Sequence, residues 1–168
     1  MPAVSPGGLD SMAYRMVGVG VALHLLLAFA FHLSPDETHY ALYSVHPDWS
    51  YFDHPPMAGW LQWPFGAAAS ALGRVGVGPN LLMRLLPMAC WAISAVWMAA
   101  LAARLYPGVP FVQRAALGLW LLSPVPHLLG LALVPDSLLM PLPCAVMALC
   151  WRLCQRSEVG NVRLWLAL

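Results

Sequence analysis

The ionisable side chains of this chain are concentrated in one stretch, residues 34–56. It holds four of the chain's seven acidic residues and three of its six histidines, without lysine or arginine. These residues are Asp36, Glu37, His39, His46, Asp48, Asp53 and His54. A carboxylate can act as general base for a hydroxyl, and a carboxylate with a histidine can hold a divalent metal ion. Such groups suit transfer from a phosphate-linked donor, with an arginine to contact the phosphate.

The rest of the chain is too apolar to cover a surface that faces water. Of its 168 residues, 61% are hydrophobic and 9% are charged, and the mean hydropathy is +0.71. A soluble domain would carry roughly a quarter charged residues. The composition therefore predicts an all-α integral membrane protein. All eight basic residues are arginines and none lies in a basic run, so no nucleic-acid partner is expected.

Four apolar segments have the length of membrane-spanning helices, each near the roughly 20 residues that one crossing takes. We expect a disordered N-terminal tail over residues 1–14, because proline, glycine and serine are frequent there. Residues 15–168 then form one membrane domain, with a first loop over residues 34–83. The predicted spans are residues 16–33, 84–104, 114–133 and 137–154.

The first loop predicts juxtamembrane helices. Ser34 can cap a helix, Pro35 suits its first position, and Glu37 can complete a capping box. That helix should run to about Val45. Residues 57–72 predict a second helix that lies along the membrane surface or dips into it, with a full crossing as the alternative.

The arginines predict the orientation. With a cytoplasmic N-terminus, six of the eight arginines lie inside and only Arg74 and Arg84 lie outside, as the positive-inside rule prefers. The first loop is then extracytoplasmic. Asp136, at the start of the fourth span, returns to the same membrane face as Asp36 and Asp53.

Five short motifs follow one another in a fixed order. They are Asp36-Glu37, Tyr51-Phe52-Asp53-His54-Pro55-Pro56, Trp60-Leu61, Arg84-Leu85-Leu86-Pro87 and Pro135-Asp136-Ser137-Leu138. From about Met16 onward this order resembles the N-terminal part of the multi-spanning GT-C glycosyltransferases. That superfamily includes the dolichyl-phosphate-mannose–protein mannosyltransferases and the bacterial lipid A aminoarabinose transferases. The Asp-His-Pro-Pro form is similar to bacterial members of family 39.

The resemblance implies inverting transfer of a sugar from a polyprenyl-phosphate donor to a protein or lipid acceptor. The reaction would take place at the outer face of the bacterial inner membrane. Asp36 would be the general base and Glu37 would help place the acceptor. Asp53 matches an acidic position that binds a divalent metal ion in some relatives.

The resemblance also implies two further site residues. His54 stands where some relatives carry a lysine near the donor phosphate, and Asp136 matches the acidic residue that opens the fourth span. We add Arg84 as a phosphate contact on the strength of its charge. Structural alternatives stay open for three residues: Glu37 can serve the helix cap, Asp136 can cap its span, and Arg84 can anchor its helix at the interface.

Other hypotheses for the whole chain also stay open. Relatives have many more spans, so this chain is expected to be an N-terminal piece that holds the acceptor side of the site, or an inactive truncated product. A non-enzymatic membrane subunit or a small transporter could use the same polar face for binding. A metal-handling protein would use His39 and His46, which we otherwise expect to be surface residues. Asp48 is expected in a turn.

Overall fold

The computed structural model describes residues 9–73 and 78–155, and within these ranges every regular element is an α-helix. Three helical stretches are long and apolar enough to cross a membrane: Ser11–Ala30, Pro79–Leu105 and Pro135–Gln155. The all-helical prediction is therefore confirmed, and three of the four predicted spans have a counterpart. The helices are α1 (Ser11–Ala30), α2 (Pro35–Val45), α3 (Met57–Leu72), α4 (Pro79–Leu105), α5 (Pro110–Leu122), α6 (Pro124–Leu131), α7 (Pro135–Leu139) and α8 (Pro141–Gln155).

Helix α4 is the centre of the bundle, because α1, α3, α5, α6, α7 and α8 all pack against it. Trp91 on α4 is fully buried and anchors a core that continues through Ala95 on the same helix and Leu117 on α5. Helices α1 and α6 come close to the Trp91 ring at Gly20 and Gly130. A Cβ atom at either glycine would lie less than 3.0 Å from that ring.

One end of the bundle, called here the Glu37 end, joins the end of α1, α2, α4 and the segment before α7. Arg84 Nη1 donates a hydrogen bond to the Phe31 carbonyl at 2.8 Å. The Leu133 backbone N–H donates to Glu37 Oε1 at 3.2 Å. These contacts bring together residues from four separate parts of the chain.

The opposite end, called the Asp10 end, joins the start of α1, α4 and the start of α5. The Asp10 N–H donates to Gln113 Oε1 at 3.1 Å, and Arg114 Nε donates to Asp10 Oδ2 at 2.9 Å. Gln113 Nε2 reaches the Ala99 carbonyl at 3.5 Å. Helix α1, helix α4 and the α5–α6 segment therefore each connect the two ends of the bundle.

The predicted third span is not one helix. Residues 114–133 are divided between α5 and α6, and the two helices meet at Ser123 and Pro124. Proline has no backbone N–H and obstructs the preceding turn, so the helix ends there and begins again. Each piece is shorter than a membrane crossing, and the fourth crossing stays a prediction.

Several predicted boundaries also change. The Asp10 side chain caps α1, accepting from the Ala13 N–H at 2.7 Å, so residues 11–14 belong to this helix and not to a tail. Helix α1 ends at Ala30, earlier than predicted, and α4 begins at Pro79, before residue 84. Residues 1–8 of the predicted tail lie outside the described residues. So do Arg74, Arg156 and Arg163, on which the predicted orientation depends in part.

Two helices, α2 and α3, lie in the stretch that was predicted as the first loop. The N–H of Glu37 donates to Ser34 Oγ at 3.2 Å, and the N–H of Ser34 donates to Glu37 Oε2 at 2.9 Å, which completes the capping box. Helix α2 ends at Val45, as predicted. Helix α3 follows with Pro64 inside it, and its Gln62 Nε2 donates to the Met83 carbonyl at 2.7 Å, which fastens it to α4.

A buried ion pair between Glu37 and Arg84 holds the Glu37 end together. Arg84 Nε and Nη2 each donate to one carboxylate oxygen of Glu37 at 2.8 Å, and Nη2 also reaches the His32 carbonyl at 2.9 Å. Only 3% of the Arg84 side chain is exposed. Burial alone would raise the pKa of Glu37, but hydrogen bonds from Arg84, Ser34 and Leu133 outweigh it and lower that pKa.

We predict that Glu37→Gln destabilises the bundle by about 3–5 kcal/mol, because it leaves the Arg84 charge buried without a counter-ion. The variant keeps a side chain that can complete the capping box, so the loss reports the ion pair. The measurement is the free energy of unfolding in detergent micelles. Asp36→Asn, at the neighbouring exposed position, is the control and should change stability little. Equal effects of the two substitutions would contradict the assignment.

Candidate functional site

Tyr40 on α2 lies among three carboxylates that are far apart in sequence. Burial raises the pKa of Tyr40, and the negative charges of Asp53, Asp36 and Asp136 raise it further. Asp36 is one helical turn before Tyr40, Asp53 lies in the loop between α2 and α3, and Asp136 is in the first turn of α7. The fold thus gathers these three carboxylates, together with Glu37, at the Glu37 end of the bundle.

The carboxylates of Asp36 and Asp136 are exposed and make no hydrogen bond or ion pair with any residue in the described ranges. The cap of α2 is provided by Ser34, and α7 begins after Val134 without a side-chain cap. The capping alternative for Asp136 is therefore wrong, although its carboxylate still lies where the helix dipole favours a negative charge. Both carboxylates are available to a ligand.

Asp53 differs from these two because its carboxylate has three partners. Its Oδ1 accepts a hydrogen bond from the Tyr43 hydroxyl. Its Oδ2 lies 3.2 Å from His39 Nε2 and 3.2 Å from His54 Nδ1. The Tyr43 hydroxyl, helped by the two histidines, lowers the pKa of Asp53 to about 2. In the same contact, burial and the Asp53 carboxylate raise the pKa of Tyr43 to about 12.

Stacked rings hold this arrangement in place. Tyr43 and Tyr51 stack in parallel with their centroids 3.7 Å apart, and Tyr40 meets His54 edge to face at 5.2 Å. The Tyr51 hydroxyl lies 3.0 Å from the carbonyls of Tyr43 and His46, at the end of α2. The loop after α2 is thereby folded back over the helix, which places Asp53 beside Tyr43.

His39 is the site residue that the sequence analysis missed. It is exposed, as expected of a surface residue, and its Nε2 also lies 3.0 Å from the Tyr43 hydroxyl and 3.2 Å from the Asp53 carboxylate. The signal was the spacing of His39 and Tyr43, which are four residues apart and share a face of α2. His46 remains exposed and Asp48 forms the expected turn, where its Oδ1 accepts from the Trp49 N–H at 2.6 Å.

Two predicted roles find little support in this geometry. Arg84 is buried against Glu37 and two carbonyls, so it has almost no surface for a donor phosphate, and that contact stays a prediction. For the metal ion predicted at Asp53, the described residues contain no group of three or more His, Cys, Asp or Glu side chains suited to hold one. The Asp53 oxygens lie beside Tyr43, His39 and His54, and the metal ion at Asp53 stays a prediction.

A second polar cluster lies inside the bundle and is separate from the carboxylates. His24 is fully buried, and its Nε2 lies 2.9 Å from His127 Nδ1. Because His127 Nε2 lies 2.8 Å from the Leu121 carbonyl, which can only accept, His127 Nδ1 must accept from His24 in the neutral pair. His24 thus hydrogen-bonds to a neighbouring helix.

Comparisons of this chain with protein-family models, with curated proteins and with solved structures find no match. The family resemblance of its five motifs therefore stays a prediction. A function has to be argued from the residues themselves, above all from the contrast between the free carboxylate of Asp36 and the engaged carboxylate of Asp53.

We predict that Tyr43→Phe raises the pKa of Asp53 from about 2 toward its ordinary value of 3.8, because the strongest hydrogen bond to the carboxylate is lost. A lowered folded-state pKa stabilises the fold above pH 3.8, and this contribution disappears as the pH falls through about 2. The stability difference between wild type and variant should therefore shrink across that window. Carboxyl NMR titration of Asp53 measures the shift. The control is Tyr40→Phe, because the Tyr40 hydroxyl makes no hydrogen bond with a described residue. An unchanged Asp53 titration in the Tyr43→Phe variant would refute the assignment.

We also predict that His24→Leu and His127→Leu are coupled by about 1 kcal/mol, a typical scale for a hydrogen bond between helices in a membrane. Each single variant leaves a buried nitrogen of the other histidine without its partner, whereas the double variant removes both polar groups. A double-mutant cycle of unfolding free energies in micelles measures the coupling. Strictly additive losses would show that the two rings do not depend on each other.

Proposed function

We propose that this chain carries the acceptor side of a glycosyltransferase site, which uses a polyprenyl-phosphate sugar as donor and a protein or lipid hydroxyl as acceptor. The observation that supports it best is the state of Asp36. Its carboxylate is exposed and unpartnered, yet α2 is fixed by the buried Glu37–Arg84 pair at the very next residue. A general base needs both properties, because it must have a lone pair that is free to accept a proton and must be held in position by a rigid element.

In the proposed reaction, Asp36 takes the proton of the acceptor hydroxyl. The acceptor oxygen attacks C1 of the sugar from the face opposite the phosphate. The bond from C1 to the phosphate oxygen breaks, and its electron pair leaves with the polyprenyl phosphate, so the configuration at C1 inverts. No step is assigned to a metal ion.

The other carboxylates have different proposed roles because their surroundings differ. Glu37 is committed to Arg84 and positions α2 without touching substrate. Asp53 is held by Tyr43 and lies beside His54, which we keep as the contact for the donor phosphate. Asp136 is free, like Asp36, and would bind hydroxyl groups of the acceptor or the sugar. Arg84 is left out because its guanidinium is buried.

We further propose the bacterial inner membrane as the location, with the Glu37 end outside and the N-terminus in the cytoplasm. The α5–α6 segment would be the fourth crossing, since it connects the Asp10 end to the Glu37 end as α1 and α4 do. The cleft beside Tyr40 has a volume of only ≈ 10 Å³, about the space of one water molecule. The donor would therefore lie over the exposed carboxylates rather than inside this cleft.

A membrane subunit or small transporter is the second candidate function. The observation in its favour is the His24–His127 pair, because ionisable residues within membrane helices often line ion or substrate pathways. The exposed carboxylates would then bind a passing solute. In that case substitution of His24 should stop transport, whereas sugar transfer should not depend on it beyond its effect on stability.

Substitution of the base tests the proposal. We expect Asp36→Asn in the full-length protein to lower sugar transfer by about 10²–10⁴-fold, the usual contribution of a general base. Membranes containing the protein are supplied with a panel of labelled polyprenyl-phosphate sugars, and label transferred to acceptor is counted. Insertion is checked by the amount of protein in the membrane and by its unfolding midpoint.

Asp48→Asn is the matched control, since Asp48 is an exposed aspartate of the same loop whose carboxylate serves a turn. It should keep nearly full activity. Undiminished transfer by a properly inserted Asp36→Asn protein would show that Asp36 is not the base. Failure of the wild-type protein to transfer sugar from any donor of the panel would contradict the proposed function itself.

A further inference from the structure

A groove separates α4 from α8 toward the Asp10 end of the bundle. Nearer the Glu37 end the two helices are in contact, and Cys144 Sγ lies 3.7 Å from the Ser94 carbonyl. Further along, small side chains leave a space of ≈ 310 Å³ between the helices, which is within the size range of ligand pockets. The groove is lined by Trp97, Ala100, Arg104, Ala145, Ala148, Leu149 and Arg152.

Two arginines from different helices line this groove. Arg104 is in the last turn of α4 and Arg152 is in the last turn of α8. Neither makes a hydrogen bond or an ion pair with a residue in the ranges 9–73 and 78–155. Two guanidinium groups without an anionic partner there are suited to a phosphate, which arginine can contact through two N–H groups at once.

We propose that the groove between α4 and α8 binds an anionic phospholipid, with its phosphate at Arg104 and Arg152 and its upper acyl chain along Trp97 and Leu149. The charge and the walls of the groove both fit this occupant. A free phosphate would use the arginines but would leave the apolar walls uncovered. Basic pockets between membrane helices are a known kind of site for anionic headgroups.

The position of the groove supports a lipid as well. Helices α4 and α8 belong to stretches that are long and apolar enough to cross a membrane, and the arginines are at their ends, where headgroups would lie. Trp97 is 42% exposed and lines the groove about two turns before Arg104, where an acyl chain below the headgroup can cover its ring. The site is at the opposite end of the bundle from Asp36, so it does not depend on the proposed sugar transfer.

The arginines have a structural alternative, which the experiment has to separate. A cation in the last turn of a helix is favoured by the helix dipole, whatever the lipid. Under that alternative, loss of the arginines weakens the fold equally in every lipid. A binding site instead predicts a preference for anionic over zwitterionic lipid that disappears with the arginines.

The test is a lipid titration of the full-length protein, purified in detergent and followed by native mass spectrometry. Phosphatidylglycerol is compared with phosphatidylcholine of the same acyl chains. We expect wild type to retain phosphatidylglycerol preferentially, and Arg104→Gln/Arg152→Gln to bind it about 30-fold more weakly. Arg15→Gln, which removes an exposed arginine from α1 near the same end, should stay within about twofold of wild type.

A second variant protects the test against misfolding of the first. Ala148→Leu keeps both charges but fills the groove, and it should also weaken phosphatidylglycerol binding while its unfolding midpoint in phosphatidylcholine stays near that of wild type. Equal retention of the two lipids by wild type would overturn the proposal. So would undiminished binding by the double arginine variant or by Ala148→Leu, equal losses in Arg15→Gln, or full displacement of the lipid by inorganic phosphate.

Discussion

The buried pair of Glu37 and Arg84 is the interaction on which the rest of the structure depends. Two charges in an apolar bundle are tolerated only when they neutralise each other and their remaining hydrogen-bonding groups find partners. Here the guanidinium also reaches the carbonyls at the end of α1, and the carboxylate accepts from the Leu133 N–H. One polar contact thus fixes where α1 ends, how α2 lies on the bundle, and where the chain turns into α7. The positions of the exposed carboxylates of Asp36 and Asp136 depend on this contact.

The carboxylates at this end fall into three kinds that composition cannot distinguish. Glu37 is buried and paired, Asp53 is partly exposed and held by Tyr43, and Asp36 and Asp136 are exposed and free. This division argues for different roles, because a group already engaged with donors is a poor proton acceptor. The aromatic rings of Tyr40, Tyr43 and Tyr51 pack the loop against α2, which keeps Asp53 beside Tyr43.

The parts of this fold that depend on local chemistry could be predicted from sequence. The capping box of Ser34 and Glu37, the end of α2 before Pro47 and the bounds of α3 are determined by neighbouring residues. The parts that depend on distant contacts could not be. Glu37 was recognised as a cap, but its pairing with Arg84 links residues 47 positions apart. For the same reason Arg84 was predicted as a phosphate contact, and the contacts of His39 with Asp53 and Tyr43 were not foreseen. A single span was predicted over residues 114–133, since the sequence shows the prolines but not that the helix ends at Leu122 and begins again at Pro124.

That break has a further consequence for the two buried histidines. Where α5 stops at Leu122, its last carbonyls lose their helical partners. The N–H of Ser123 satisfies Leu119, and the ring of His127, oriented by His24, satisfies Leu121. The prolines therefore leave the Leu121 carbonyl without a helical partner, and the two histidines provide a hydrogen bond in its place. A homologue that replaced the prolines with helix-forming residues would be released from the need for either histidine, and the two features should be gained and lost together in evolution.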